Sequence, residues 1–332
     1  MNRERARRRW RRSGPVCALW LYSCSHSGAE GVSAGAVPEE VSLPEIRVAA
    51  HAESVHHPID ATPSPDGSRV YYLASQRDER GEDHAGVFAV ASDGGGAGTI
   101  DTVAVGEPLL SPVGIAISRD GQQLYVADAA SGADATGGLF AIASGGGAIA
   151  AISGSEGYRP AGLTTAGRAR DEQLFFTGRD PQTAEAGLFR ISPAGGVPEV
   201  VAAGVPFEQP GGVALTAAGD AYVADVTEHN ARVLRVRDGQ VEPFVENIGL
   251  GYPAGVALSH DERKLLVSGV DPATKHDVVY FVELASGEVS RLTQVVGAHS
   301  EAAGLHRAHD RELYAWADSQ ADTTGAVYTV EP

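Results

Sequence analysis

One short phrase recurs along the chain. "PVGIAIS" begins at Pro112, "PAGLTT" at Pro160, "PGGVALT" at Pro210 and "PAGVALS" at Pro253. "PIDATPS" at Pro58 and a degenerate "EAAGLH" at Glu301 complete a series spaced roughly every 50 residues. Each phrase runs into a turn such as "SPDG", "SRDG" or "SHDER". A second apolar run follows, such as "RVYYLAS", "QLYVADA" or "KLLVSGV", and then a third, such as "GVFAVA", "GLFAIA" or "VVYFVEL". Short apolar runs between turn residues read as strands. The 41 glycines favour many tight turns over long helices.

A unit of this size cannot bury its apolar faces alone and must stack on its copies. Six units with three clear strands each, and a weaker fourth, predict an all-β, six-bladed β-propeller with four-stranded antiparallel blades. The fourth strands are "TIDTVAV", "AIAAIS", "VPEVVAA", "VEPFV" and "VSRLTQV". Pro198 and Pro243 within this set fit an outermost strand, one edge of which makes no ladder bonds. The small residues of P-x-G-x-A fit the innermost strand, where six backbones crowd one axis. The sixth unit stops at Pro332 after three strands, which would leave its edge bare. "EIRVAAH" at 45–51 alternates apolar and polar, with Ile46, Val48 and Ala50 on one face. It is expected to supply the missing outer strand. One propeller domain then covers 45–332, although length alone suggests two domains.

Charge narrows the function. The net charge is −17, and such a surface repels phosphate backbones, so nucleic-acid binding is not expected. Seven of the first twelve residues are nevertheless arginine. An apolar run from Val16 to Tyr22 and "LYSC" at 21–24 follow, in the order of an export signal. The run is too short for a membrane-spanning helix. "LYSC" resembles the lipobox of bacterial lipoproteins, and the resemblance implies a lipid on Cys24. Another export route, or an arginine-rich tail on a chain with a mis-assigned start, also fits these residues. The two cysteines, Cys17 and Cys24, both lie in this leader, so no disulfide braces the propeller. The expected organisation is an export signal at 1–23, a flexible tether at 24–44 and the propeller, exported to the cell envelope or periplasm as a monomer. The membrane enters only through the lipid anchor.

"AYVADVTEHNARVLRV" at 221–236 resembles an NHL repeat, and "QLYVAD" at 123–128 repeats its first half. More broadly, residues 45–332 resemble the six-bladed propellers that include NHL proteins and the SMP-30/gluconolactonase enzymes. That second resemblance implies a calcium ion at the channel mouth, held by a Glu before the first inner strand and Asn or Asp at later ones. Here His56 stands at the Glu position, and Val113, Ala161, Gly211 and Ala254 stand where Asn is expected. None of those four side chains can coordinate calcium. G-x-S-x-G, H-E-x-x-H and P-loop motifs are absent from the sequence.

Candidate site residues therefore come from the loops. Loops entering the inner strands and loops joining second to third strands are expected to share one face. The latter are acidic and contain Asp128, Asp225, Asp271 and Asp318. These form an anionic collar for a cation or basic partner, or else end their strands by turn bonding. Tyr158, Arg159, Glu208, Gln209 and Tyr252 precede inner strands and either line a shallow ligand pocket or pack between blades. His56 and His57 before the first inner strand, with His299 and Glu301 before the sixth, offer a donor set for a divalent zinc, copper or nickel ion. Ordinary exposed histidines are the other reading. His260, His306 and His309 are expected on the opposite face as turn residues. No cofactor is required beyond that candidate metal. The leading expectation is a non-catalytic propeller that binds an unidentified ligand or envelope protein; the alternative is a divergent metal-dependent lactonase or esterase.

Overall fold

A computed structural model describes residues 44–332 apart from 52–54, 94–98, 133, 229–230, 252–253, 272, 294–301 and 321–323. The chain divides into Met1–Glu39 and Glu40–Pro332, and the first unit lies outside the described residues. No helix among the described residues is long and apolar enough to cross a membrane.

The second unit is a ring of six four-stranded antiparallel sheets, each following the repeat read from the sequence. The inner strands are Val55–Pro63, Pro112–Ile117, Leu163–Ala166, Gln209–Leu215, Val256–Leu258 and Ala302–Arg307, in blades 1 to 6. Both faces of every blade are covered, which is why the second strands read as unbroken apolar runs. In blade 1, Val70, Tyr72 and Ala74 enter the core shared with blade 6, while Tyr71 and Leu73 enter the core shared with blade 2. The period-2 alternation of a strand thus feeds two cores in turn. A core of this kind lies between each pair of neighbouring blades.

The last blade is completed from the N-terminal side. Strand β1 (Ile46–Ala50) pairs antiparallel with Ala326–Val330, aligning Ile46 with Val330 and Val48 with Tyr328. The simple alternation expected there fails at one point. A bulge between Val48 and Ala50 turns Ala49 and Ala50 together into the core between blades 6 and 1, and leaves Val48 46% exposed. The outermost strands are the least regular: that of blade 2 is only Ala150–Ala151. Pro243 falls at a register shift in the outermost strand of blade 4, where a missing N–H costs no ladder bond.

The glycine of the repeated phrase has a packing role. A Cβ on Gly114 would lie 2.7 Å from the Ala161 carbonyl oxygen, and one on Gly162 would lie 2.1 Å from that of Gly211. On Gly212 it would approach the Ala254 oxygen to 2.6 Å, and on Gly255 the carbonyl carbon of Gly304 to 2.1 Å. Each blade therefore presses its inner strand against the backbone of the next. In blade 1 the equivalent position is Asp60, whose alignment follows from the pairing of Asp60 with Leu73 and of Gly114 with Ala127. The repeat is broken there by a carboxylate.

Candidate ligand site in the central channel

The four collar aspartates lie at or within one residue of the ends of the second strands of blades 2, 4, 5 and 6, and all are buried. One Asp128 oxygen accepts the N–H groups of Leu110 (2.7 Å) and Ser111 (2.9 Å), and the other accepts those of Ala130 and Ser131. Asp225 accepts the N–H groups of Glu208 (3.0 Å) and Gln209 (2.9 Å) on one oxygen and the Arg232 guanidinium on the other. Burial pushes the Asp225 carboxyl above the ordinary carboxylate range despite these donors. Asp271 holds the N–H groups of Ala273 and Thr274 and pairs with Arg291, and Asp318 holds that of Gln320. An open anionic collar does not form from these four. They end their strands by turn bonding, and Asp128 and Asp225 also fasten the loop that enters the inner strand of their own blade.

The other loop candidates divide in the same way. Tyr158 packs edge-on against Phe176 and Phe189, with ring centroids 5.6 and 5.0 Å away, so it belongs to the core between blades 2 and 3. Arg159, Glu208 and Gln209 are exposed, and Glu208 lies 3.5 Å from Arg232. His57 reaches blade 6, as ring closure requires: its N–H donates to Thr324 O at 2.8 Å, and Nδ1 lies 3.0 Å from Ser319 O. The His56 and His57 ring centroids are 6.2 Å apart. Their expected partners His299 and Glu301, together with Tyr252 and Cys24, lie outside the described residues. In blade 1, Asp78, Glu82 and His84 bring potential ligand atoms within 4.8 Å of one another, with Asp78 Oδ1 already accepting two backbone N–H bonds.

A cavity among the described residues lies at the other end of the channel. Where the inner strands run out, a space of about 260 Å³ opens among them. Two residues beyond the repeat glycine, Thr62, Ala116, Thr164, Ala214, Ala257 and His306 line it in order around the axis. The next position is apolar in blades 2, 4 and 5, as Ile117, Leu215 and Leu258, but is Arg307 in blade 6. His309, Arg119, Glu172 and Glu262 are the other ionisable side chains of the wall.

His306 and His309 are thus wall residues of the channel rather than simple turn residues. His306 Nε2 lies 3.3 Å from Asp60 Oδ2, and that oxygen also accepts the Ile115 N–H at 2.9 Å. Asp60, only 3% exposed, so links blades 6, 1 and 2. His309 Nε2 lies 3.2 Å from Ile117 O, and the Asp310 N–H donates to Pro65 O at 3.0 Å. The blade 6 turn therefore leans past blade 1 to reach blade 2. Burial holds the His309 imidazole below its ordinary value. The Arg307 Nε donates to Leu258 O at 2.8 Å and Nη1 to Ala308 O at 2.7 Å, whereas Nη2 has no acceptor among the described residues.

The wall carboxylates are committed to the scaffold. Glu172 accepts the Arg119 N–H at 2.6 Å and lies 3.2 Å from the Tyr125 hydroxyl; Glu262 accepts the Ala217 N–H at 2.8 Å. With Glu312 on the His260 N–H, these are stitches from one blade to the next. Desolvation pushes the Glu172 carboxyl above its ordinary value. An acid raised in the folded state stabilises below its unfolded value and loses that contribution as pH rises through the folded one. Glu172→Gln, which keeps an acceptor for Arg119, should therefore gain stability relative to the wild type between acid and neutral pH. Urea melts at the two pH values check this, and an equal pH response of both proteins would contradict it.

No protein-family model matches the chain. No curated protein matches its sequence. Solved structures match in fold. The PQQ-bound aldose sugar dehydrogenase of Streptomyces coelicolor superposes with a TM-score of 0.58 at 13% identity, covering 86% of this chain and 98% of that one. A protein of unknown function from Dyadobacter fermentans gives 0.59 at 12% identity, covering 87% and 97%. The putative TolB of Agrobacterium tumefaciens gives 0.55 at 14% identity, covering 83% and 91%. Blade topology, ring closure and these likenesses define the class: a six-bladed β-propeller. Identities this low establish fold alone.

Proposed function

We propose that this chain is a non-catalytic binding propeller of the NHL/SMP-30-like group, exported to the cell envelope, that holds a small polar ligand at the end of its channel. The observation that carries the reading is the channel cavity, lined by His306 and Arg307 with Asp60 bonded to His306, the residues at which blades 1 and 6 depart from the repeat. Departures from internal symmetry that put polar groups in buried or half-buried positions have a cost, so they point to a use at that place. Thermal melting with a panel of small polar molecules tests the reading, because a ligand that binds only the folded ring raises Tm. Lactone and aryl-ester turnover with stoichiometric metal, and no ligand-induced shift, would instead favour the hydrolase. Export is supported by the arginine-rich leader and "LYSC". Cys24→Ala should release the protein from membranes, and unchanged membrane fractionation would remove the lipid anchor.

A further inference from the structure

We infer that the channel cavity recognises an oxyanion, the carboxylate or phosphate of a small polar molecule, with Arg307 and His306 as its principal contacts and Asp60 as the residue that positions His306. This rests on the reading of the cavity as the binding site.

The argument is one of unspent donors and spent acceptors. The two wall carboxylates and Asp60 already hold backbone N–H groups: Asp60 that of Ile115, Glu172 that of Arg119 and Glu262 that of Ala217. Arg307 is in the opposite state. Its bonds go to backbone carbonyls, which neutralise no charge, and its Nη2 lacks an acceptor among the described residues. No carboxylate among the described residues forms an ion pair with it, although such pairs are common elsewhere on this acidic molecule. Arg119 is partnered only at 3.4 Å, by Asp310. A half-buried guanidinium with one nitrogen still without an acceptor is a donor well suited to a planar or tetrahedral oxyanion.

The wall is also polarised around the axis. Arg307, His306 and His309 come from blade 6 and Arg119 from blade 2, whereas Glu172 and Glu262 come from blades 3 and 5. The charged end of a ligand therefore faces blades 6 and 2, and its uncharged body faces Thr164 and Thr216. Phe, Tyr and Trp are absent from the described wall, so it offers no large aromatic platform of the kind that would favour a neutral sugar ring. Asp60 acts through His306. Its carboxylate takes one ring nitrogen at 3.3 Å and leaves the other for a ligand. Gly304 leaves room for this, since a Cβ there would stand 1.7 Å from Asp60 Oδ1.

Calorimetry on the full chain with inorganic phosphate, succinate and xylitol as probes tests the inference. Phosphate or succinate should bind and xylitol should not, and the better anion identifies the headgroup. Arg307→Lys, which removes the planar fork but keeps the charge, should weaken the bound anion about tenfold. His306→Gln and Asp60→Asn should weaken it as well, and Arg159→Ala on the opposite face should not. Should Arg307→Lys fail to fold, Arg119→Ala serves as the second cation variant. Asp60→Asn that lowers Tm but leaves anion affinity intact would overturn its positioning role. Binding of xylitol and of neither anion would overturn the ligand class while leaving the cavity as the site. Silence from all three probes would overturn the inference, and silence across the wider panel would overturn the site itself.

Discussion

Gly255→Ala should disrupt the ring severely. The added Cβ would stand 2.1 Å from both the Gly304 carbonyl carbon and the Leu305 nitrogen. Those are backbone atoms of the neighbouring inner strand, so no rotamer change relieves the clash. The two blades would have to move apart, opening the core that holds Leu266, Leu305, Tyr314 and Trp316. A loss of about 4 kcal/mol or more is expected, beyond ordinary overpacking because the obstacle is main chain. Gly145→Ala is the matched control, since nothing lies within 4 Å of its Cβ position. Urea denaturation of both variants checks the pair. A Gly255→Ala midpoint equal to that of Gly145→Ala would show that the inner strands are not packed as described.

Starting the chain at Val55 should be nearly as damaging. It removes β1, whose pairing runs from Ile46 opposite Val330 to Ala50 opposite Val327, and takes Ala49 and Ala50 out of the core between blades 6 and 1. Several ladder bonds at about 1 kcal/mol each, with the lost apolar burial, suggest a loss of about 4 kcal/mol. The edge of Ala326–Val330 would then be open to pairing with another chain. A lower melting temperature together with concentration-dependent association in sedimentation is the expected pair of results. An unchanged melting temperature would mean that β1 is not the latch.

The architecture was legible because its signals are local and repeated. A five-residue phrase, a turn and two apolar runs recur, and their period-2 pattern needs no long-range information. The outermost strands were faint for a physical reason. They face solvent on one edge, and Ala150–Ala151 is too short to carry a pattern. The bulge in β1 was invisible because Val48 and Ala49 differ in burial, not in apolar character.

The site was less legible. Asp128 and Asp225 stand in acidic loops, and sequence does not reveal that their side chains turn back to bind the amides of Ser111 and Gln209. His306 ends a degenerate phrase and His309 follows it, and both read as turn residues. His306 lines the channel from the inner strand of blade 6, and the place of His309 in the wall depends on the blade 6 turn crossing to blade 2. One signal was nonetheless available. Reading down the repeat, position by position, sets Asp60 against Gly114, Gly162, Gly212, Gly255 and Gly304, and His306 against Thr62, Ala116, Thr164, Ala214 and Ala257. A buried carboxylate in a column of glycines is a stronger indication than an exposed one among many acids.

The central claim is that ligand enters the end of the channel lined by His306 and His309, not the loop face that carries His56 and His57. Histidine-ring NMR during titration with the anion that calorimetry selects distinguishes the two ends in one experiment. The resonances of His306 and His309 should move with the added anion while those of His56 and His57 stay in place. Movement of His56 and His57 with His306 and His309 unchanged would place the site on the loop face and contradict the account.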